Sequence, residues 1–215
     1  MAIPPIAPYS IPAPEEVAEN RVSWSIDPGR AALLIHDMQR YFINAYEREQ
    51  EPISSTLANI ARIRRICTGA GIPVIYTMQP GDQHPSRRGI LADFWGTGLE
   101  TGIDTEVVPE LAPQRGDIQV TKWRYSAFQR TDLRELLSHY NRDQLIVTGV
   151  YAHMGVMLSA AEAFMSDVRP FVVLDATADF SREEHLMAMD YAARRCGVVT
   201  TTDAIEHELR QVRVA

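Results

Sequence analysis

The chain predicts a single α/β domain of the three-layer α/β/α, Rossmann-like kind, built on a six-stranded parallel sheet with helices on both faces. Three observations lead there. Six short apolar runs alternate with longer segments, several of which repeat apolar residues every three or four positions, as a helix does. The runs are largely apolar without alternation, as strands covered on both faces must be. Four of them end on Asp37, Gln79, Lys122 and Tyr151, at the carboxyl edge where open parallel sheets hold their ligands.

Residues 1–29 read as an extended arm, because Pro4, Pro5, Pro8, Pro12 and Pro14 forbid helix. Ile3, Ile6, Tyr9, Ile11, Val22 and Trp24 suggest that this arm packs on a domain formed by residues 30–215. The run from Ala31 to His36 is the first strand. Ile53, Leu57, Ile60, Ile63 and Ile66 mark the helix after it, which Gly69 and Gly71 stop. Ile72 to Met78 reads as the second strand. Residues 79–114 show little periodicity and many polar and aromatic side chains. Asp117 to Thr121 is the third strand, with a helix over 132–140. Gln144 to Val150 is the fourth, with a helix expected from about Gly155 to Asp167. Pro170 to Leu174 is the fifth, after which Asp175 and Asp179 read as loop and cap residues. Ser181-Arg-Glu-Glu184 is a capping box opening a helix that runs to Arg195. Gly197 to Thr201 is the sixth strand, and Asp203 starts a terminal helix. The expected strand order is 3-2-1-4-5-6, which would bring Asp37 and Gly155 to one crevice.

Composition narrows the function. With 46% hydrophobic and 23% charged residues, the 215-residue chain has the mix of an ordinary globular domain. A formal net charge of -7 argues against nucleic acid or an anionic membrane as partner. The two cysteines, Cys67 and Cys196, have no ligand-like spacing, so neither a disulfide framework nor a zinc site is expected. No apolar window reaches roughly 18 residues, and the first residues lack a signal-peptide pattern, so a cytoplasmic location is the default.

The strand-end residues carry the chemistry. Where a catalytic cysteine would sit at the start of the helix after strand four, the chain has Gly155. An acid and a lysine without a nucleophile point to proton transfer. Asp37, between aromatic neighbours that raise its pKa and a lysine that lowers it, would suit a general acid. His36 and His153 lie at the same rim. Either could hold a water or a substrate oxygen, and either could be a hydrogen-bonded structural residue.

The segments His36-Asp37-Met38-Gln39-Arg40-Tyr41-Phe42, Lys122-Trp123-Arg124-Tyr125-Ser126-Ala127-Phe128 and Gly149-Val150-Tyr151-Ala152-His153-Met154-Gly155 resemble the isochorismatases of siderophore and phenazine biosynthesis. Tyr76-Thr77-x-Gln79-Pro80, Arg88-Gly89, Asp93-x-Trp95-Gly96-x-Gly98 and the stretch Asp175 to Ser181 add to the likeness, which runs from about residue 3 to residue 203. The resemblance implies an enzyme that hydrolyses the vinyl ether of isochorismate, or of its 2-amino-2-deoxy analogue, with Asp37 as general acid. It implies a pocket for a small anionic substrate formed by Phe42, Gln79, Arg88, Trp95, Lys122, Tyr125, Tyr151 and Gly155. Arg88 and Lys122 would meet the two carboxylates. No metal or cofactor is expected, and the resemblance suggests a homodimer. Two alternatives stay open. One is an amidase of the related cysteine hydrolases, for which Gly155 supplies no thiolate. Its metal pair is matched only by Asp82-Gln83-His84, three residues late in a solvated loop. The other is a non-catalytic assembly-line partner, although the carrier-protein domain of some relatives is not expected in a chain that ends soon after its last helix.

Overall fold

The computed structural model describes residues 3–212. Its six strands are β1 (Ala31–His36), β2 (Val74–Met78), β3 (Ile118–Thr121), β4 (Gln144–Val150), β5 (Arg169–Ala178) and β6 (Val198–Thr200). All pair in parallel, in the order β3-β2-β1-β4-β5-β6. Every residue of β1 is buried, yet its side chains still alternate. Ala31, Leu33 and Ile35 enter one core, and Ala32 and Leu34 enter the other. A strand between two cores is therefore apolar throughout, and fully burying each Leu or Ile contributes about 1.5–3 kcal/mol.

The main helices are α2 (Ile53–Gly69), α5 (Leu133–His139), α6 (Met157–Met165), α7 (Arg182–Arg195) and α8 (Thr202–Val212). Short ones are α1 (Arg40–Ile43), α3 (Pro85–Arg88) and α4 (Leu91–Trp95). Residues of α2 and α8 share one core, and those of α5, α6 and α7 share the other. The Ser181 hydroxyl accepts from the Glu184 amide, so the expected cap of α7 is formed. No helix among the described residues is long and apolar enough to cross a membrane.

Three boundaries differ from the sequence reading. The segment 79–114 contains α3, α4 and short 3-10 turns, too brief for periodicity to register. β5 runs on to Ala178, so Asp175 lies within the strand. Its carboxylate accepts from the Thr202 amide and hydroxyl, which tethers the start of α8. After β4 the chain turns at once into a π-helical turn, Ala152–Val156, so Gly155 lies inside that turn and does not open the helix.

The arm lies against the domain near the carboxyl edge of the sheet. Ile6 is buried, and its amide donates to Ala45 O. The Tyr9 hydroxyl accepts from the Asp179 amide at 2.7 Å and contacts His185 Nδ1 at 3.2 Å.

Candidate active site

The register sets the site. His36 lies beside Thr77 of β2 and Gly149 of β4, so the next residue, Asp37, emerges where the three strands end. Asp37 has φ +50°, left-handed backbone that non-glycine residues seldom adopt and that Asp tolerates better than most. Its carboxylate is 4% exposed at residue level and fully engaged. Oδ1 accepts from the Thr77 hydroxyl at 2.8 Å, and Oδ2 from the Gln79 amide at 3.2 Å. Lys122 Nζ lies 2.9 Å from Oδ2.

Burial alone would raise the Asp37 pKa. The Lys122 charge, helped by the neighbouring imidazole and the Thr77 hydroxyl, outweighs it and holds the carboxyl below its ordinary value. The resting acid is thus ionised, which corrects the expectation of a group balanced between opposing influences. A lysine touching the carboxylate dominates any effect of nearby rings.

Lys122 is 1% exposed, and its ammonium also donates to Arg124 O at 2.7 Å and Tyr125 O at 3.3 Å. An ammonium has three N–H groups, and these three partners use them. Lys122 therefore has no donor left for a substrate carboxylate in this arrangement, contrary to its expected pairing.

Gly155 packs against His36. A Cβ at 155 would lie 2.0 Å from Cε1 of His36 and 2.6 Å from its Nε2. The imidazole occupies the space a side chain at that position would need. His36 Nδ1 bonds Val150 O at 2.8 Å, and Nε2 sits 3.2 Å from Tyr125 O. Burial pushes its pKa down, against the Asp37 charge and the two carbonyl contacts, which raise it. Of its two sequence readings, the hydrogen-bonded structural one holds. His153 likewise bonds Asp179 at 2.7 Å, and that contact raises its pKa against the opposing effect of partial burial.

The remaining expected residues converge on the same cleft, which encloses about 560 Å³ counting its solvent-open mouth. Phe42, Gln79, Arg88, Trp95, Tyr125, Tyr151 and Gly155 all line it with Asp37 and Lys122. Gln79 is braced by Gln39, whose side chain bonds both the Gln79 amide and its carbonyl. Trp95 Nε1 donates to the Tyr125 hydroxyl at 2.7 Å. The Tyr151 hydroxyl donates to Phe42 O, so Tyr151 offers the cleft a ring face. Phe180 packs on that ring, centroids 4.4 Å apart. Tyr41, Phe180, Arg124 and Ile3 also line the cleft. Sequence reading passed over these four as lining residues, although Tyr41, Phe180 and Arg124 lie inside its quoted motifs.

Asp82 and His84 are exposed; His84 caps the Ser86 amide, as fits a solvated loop. No cysteine lines the cleft among the described residues. Burial raises the Cys67 thiol to about 12 and Cys196 to about 11.

A doubly wound parallel sheet with a buried acid–lysine pair at its carboxyl edge, opening on an aromatic cleft, is the architecture of an α/β enzyme with a small-molecule site. The chain belongs to the isochorismatase family, whose domain model, "Isochorismatase domain", matches residues 31–204. It is 50% identical to the "Isochorismatase" of Bacillus subtilis (strain 168), across 98% of this chain and 68% of that one. It is also 50% identical to the "Phenazine biosynthesis protein PhzD" of Pseudomonas fluorescens, across 94% of this chain and 98% of that one. Among solved structures, a cysteine hydrolase from Pseudomonas syringae pv. phaseolicola 1448A shares the fold, with TM-score 0.82 at 24% identity over 88% of this chain and 97% of that one.

Proposed function

We propose that the protein hydrolyses the enolpyruvyl vinyl ether of isochorismate to 2,3-dihydroxy-2,3-dihydrobenzoate and pyruvate. In this reading Asp37 is the general acid and no covalent nucleophile takes part. The observation that carries it is the Asp37–Lys122 pair, 2.9 Å apart and buried beneath a cleft in which His36 fills the space of a side chain at 155. That geometry can move a proton, and no cysteine or serine lines the cleft among the described residues.

Asp37 is ionised at rest, so it must first gain the proton it gives away. That proton comes from solvent through the open mouth of the cleft, and Lys122, 2.9 Å from Oδ2, steadies the carboxylate once the proton has been passed on. Asp37 then protonates the terminal methylene, leaving an oxocarbenium ion beside the carboxylate, where preorganised negative charge stabilises it. Water adds to the cationic carbon and returns a proton to the acid–lysine pair. The hemiketal breaks its bond to the ring oxygen, which takes a proton and leaves as the diol, and pyruvate forms. Phe42, Trp95, Tyr151 and Phe180 supply apolar surface for the ring and exclude bulk water.

The equal identity to the phenazine protein favours a second reading, the same reaction on 2-amino-2-deoxyisochorismate. Pyruvate release measured on both substrates tests the two together. The proposal expects turnover of at least one, with kcat/KM favouring isochorismate. Preference for the amino analogue would select the second reading, and release from neither would overturn both.

A further inference from the structure

We propose that Arg124 anchors the ring carboxylate of the substrate, while Arg88 holds the enolpyruvyl carboxylate. The inference rests on the dicarboxylate reading above and deepens it. A substrate with two carboxylates calls for two cations, and Lys122 is not one of them. Its ammonium is committed to Asp37, Arg124 O and Tyr125 O.

Two arginines line the same cleft, and neither forms an ion pair among the described residues. Arg88 is 5% exposed, with Nε on Gly96 O at 3.0 Å and Nη1 a distant 3.5 Å from Gln79 Oε1. Arg124 is held through Nη1 alone, by Arg87 O at 3.0 Å and Trp123 O at 2.6 Å. Its Nη2 stands where Gly89 leaves room, since a Cβ at 89 would come within 3.2 Å. Gly89 has φ +57°, so a larger residue there would be strained as well. Burial lowers the pKa of both groups, and Arg124 lowers that of Arg88 further. Two like charges facing one cleft without an acid between them are unfavourable until an anion enters.

Position assigns the two acids. Arg88 reaches Asp37 through Gln79, whose other side-chain atom bonds the Asp37 carboxylate. The enolpyruvyl carboxylate is attached to the carbon next to the methylene that Asp37 protonates, so it belongs near Arg88. The ring carboxylate is set two ring carbons away from the ether-bearing carbon, beyond the hydroxyl, and falls to Arg124. An arginine fork suits a carboxylate better than an ammonium does.

Two non-reacting probes separate the anchors. 2,3-Dihydroxybenzoate carries the ring acid alone, and 2-(cyclohexyloxy)propanoate carries the ether acid alone. Titration calorimetry with each is run on wild type, Arg124→Gln, Arg124→Lys and Arg88→Gln, alongside kcat and KM on isochorismate. Losing one charged hydrogen-bond anchor is expected to weaken 2,3-dihydroxybenzoate about 10- to 100-fold in Arg124→Gln, leaving the ether acid within about 3-fold. KM for isochorismate rises by a similar factor with kcat nearly unchanged, and Arg88→Gln shows the reverse preference between probes. Arg124→Lys gives a smaller loss, still confined to the ring acid, and decides the matter should Arg124→Gln fail to fold. Equal weakening of both acids, or of neither, overturns the assignment. If wild type releases no pyruvate from isochorismate while the ring-acid selectivity persists, the proposed reaction fails and Arg124 remains an aryl-carboxylate anchor.

Discussion

Adding one methyl group at Gly155 tests how His36 replaces a nucleophile. The new Cβ would lie 2.0 Å from Cε1, 2.6 Å from Nε2 and 2.8 Å from Nδ1 of the imidazole. Comfortable contact between such atoms is about 3.5–4.0 Å, so the ring must move by roughly 1.5 Å. It cannot do so and keep its 2.8 Å bond to Val150 O. Overpacking costs about 1–3 kcal/mol, and leaving a buried carbonyl unpaired about as much again. The sum, about 2–6 kcal/mol, corresponds to a fall in Tm of roughly 5–20 °C for a domain of this size. Thermal unfolding followed by circular dichroism on Gly155→Ala reads this directly. Replacing His36 by Ala in the same chain removes the clash. The double variant should therefore melt above Gly155→Ala, the signature of coupled neighbours. Gly155→Ala melting within about 2 °C of wild type, short of that range, would refute the steric account.

Other perturbations follow from the same contacts. Asp37→Asn keeps a side chain suited to φ +50° but removes the acid, so turnover should fall by about 10²–10⁴ or more. A tenth of wild-type rate would sink the assignment. The same change leaves the Lys122 ammonium buried without its counter-charge, a destabilisation of about 3–5 kcal/mol. Adding Lys122→Met should restore stability in urea titrations without restoring activity. Iodoacetamide at pH 7.5 should not inactivate the folded enzyme, since both thiols are buried and strongly disfavour the thiolate; rapid stoichiometric loss blocked by substrate would contradict that. His185 is buried and its pKa falls to about 4, so the fold refuses a proton that the unfolded chain takes up near pH 6.5. Stability should therefore drop by roughly 3 kcal/mol as pH falls from 6.5 to 4, at most about 1.4 kcal/mol per unit. Denaturant titrations of wild type and His185→Gln should show a shallower acid slope in the variant.

The sheet was legible because its strands are buried on both faces, and burial writes a continuous apolar run into sequence. Strand ends then followed from where the runs stop, and Asp37, Gln79, Lys122 and Tyr151 were found that way. β5 was read too short because Asp175 interrupts its apolar run. Nothing local reveals that its carboxylate is matched by Thr202, 27 residues away. The saturation of Lys122 was invisible because two of its partners are main-chain carbonyls, which have no residue signature. The pairing of His36 with Gly155 depends on β1 lying parallel beside β4, with His36 next to Gly149. From sequence, glycine at 155 reads as a missing side chain that lets substrate approach the amides at the helix start, with no sign that His36 packs against it. Arg124 went unnoticed as a site residue because a surface arginine and a cleft arginine look alike until the segment around α3 is folded over them.

Hydrolysis of isochorismate in D2O, with pyruvate trapped at once as lactate, tests the central claim most directly. If Asp37 delivers a solvent-derived proton to the methylene, each lactate methyl carries one deuterium and the co-product is the dihydrodiol acid. A methyl group free of solvent deuterium would mean that its third hydrogen came from the substrate ring, and would contradict general acid catalysis by Asp37.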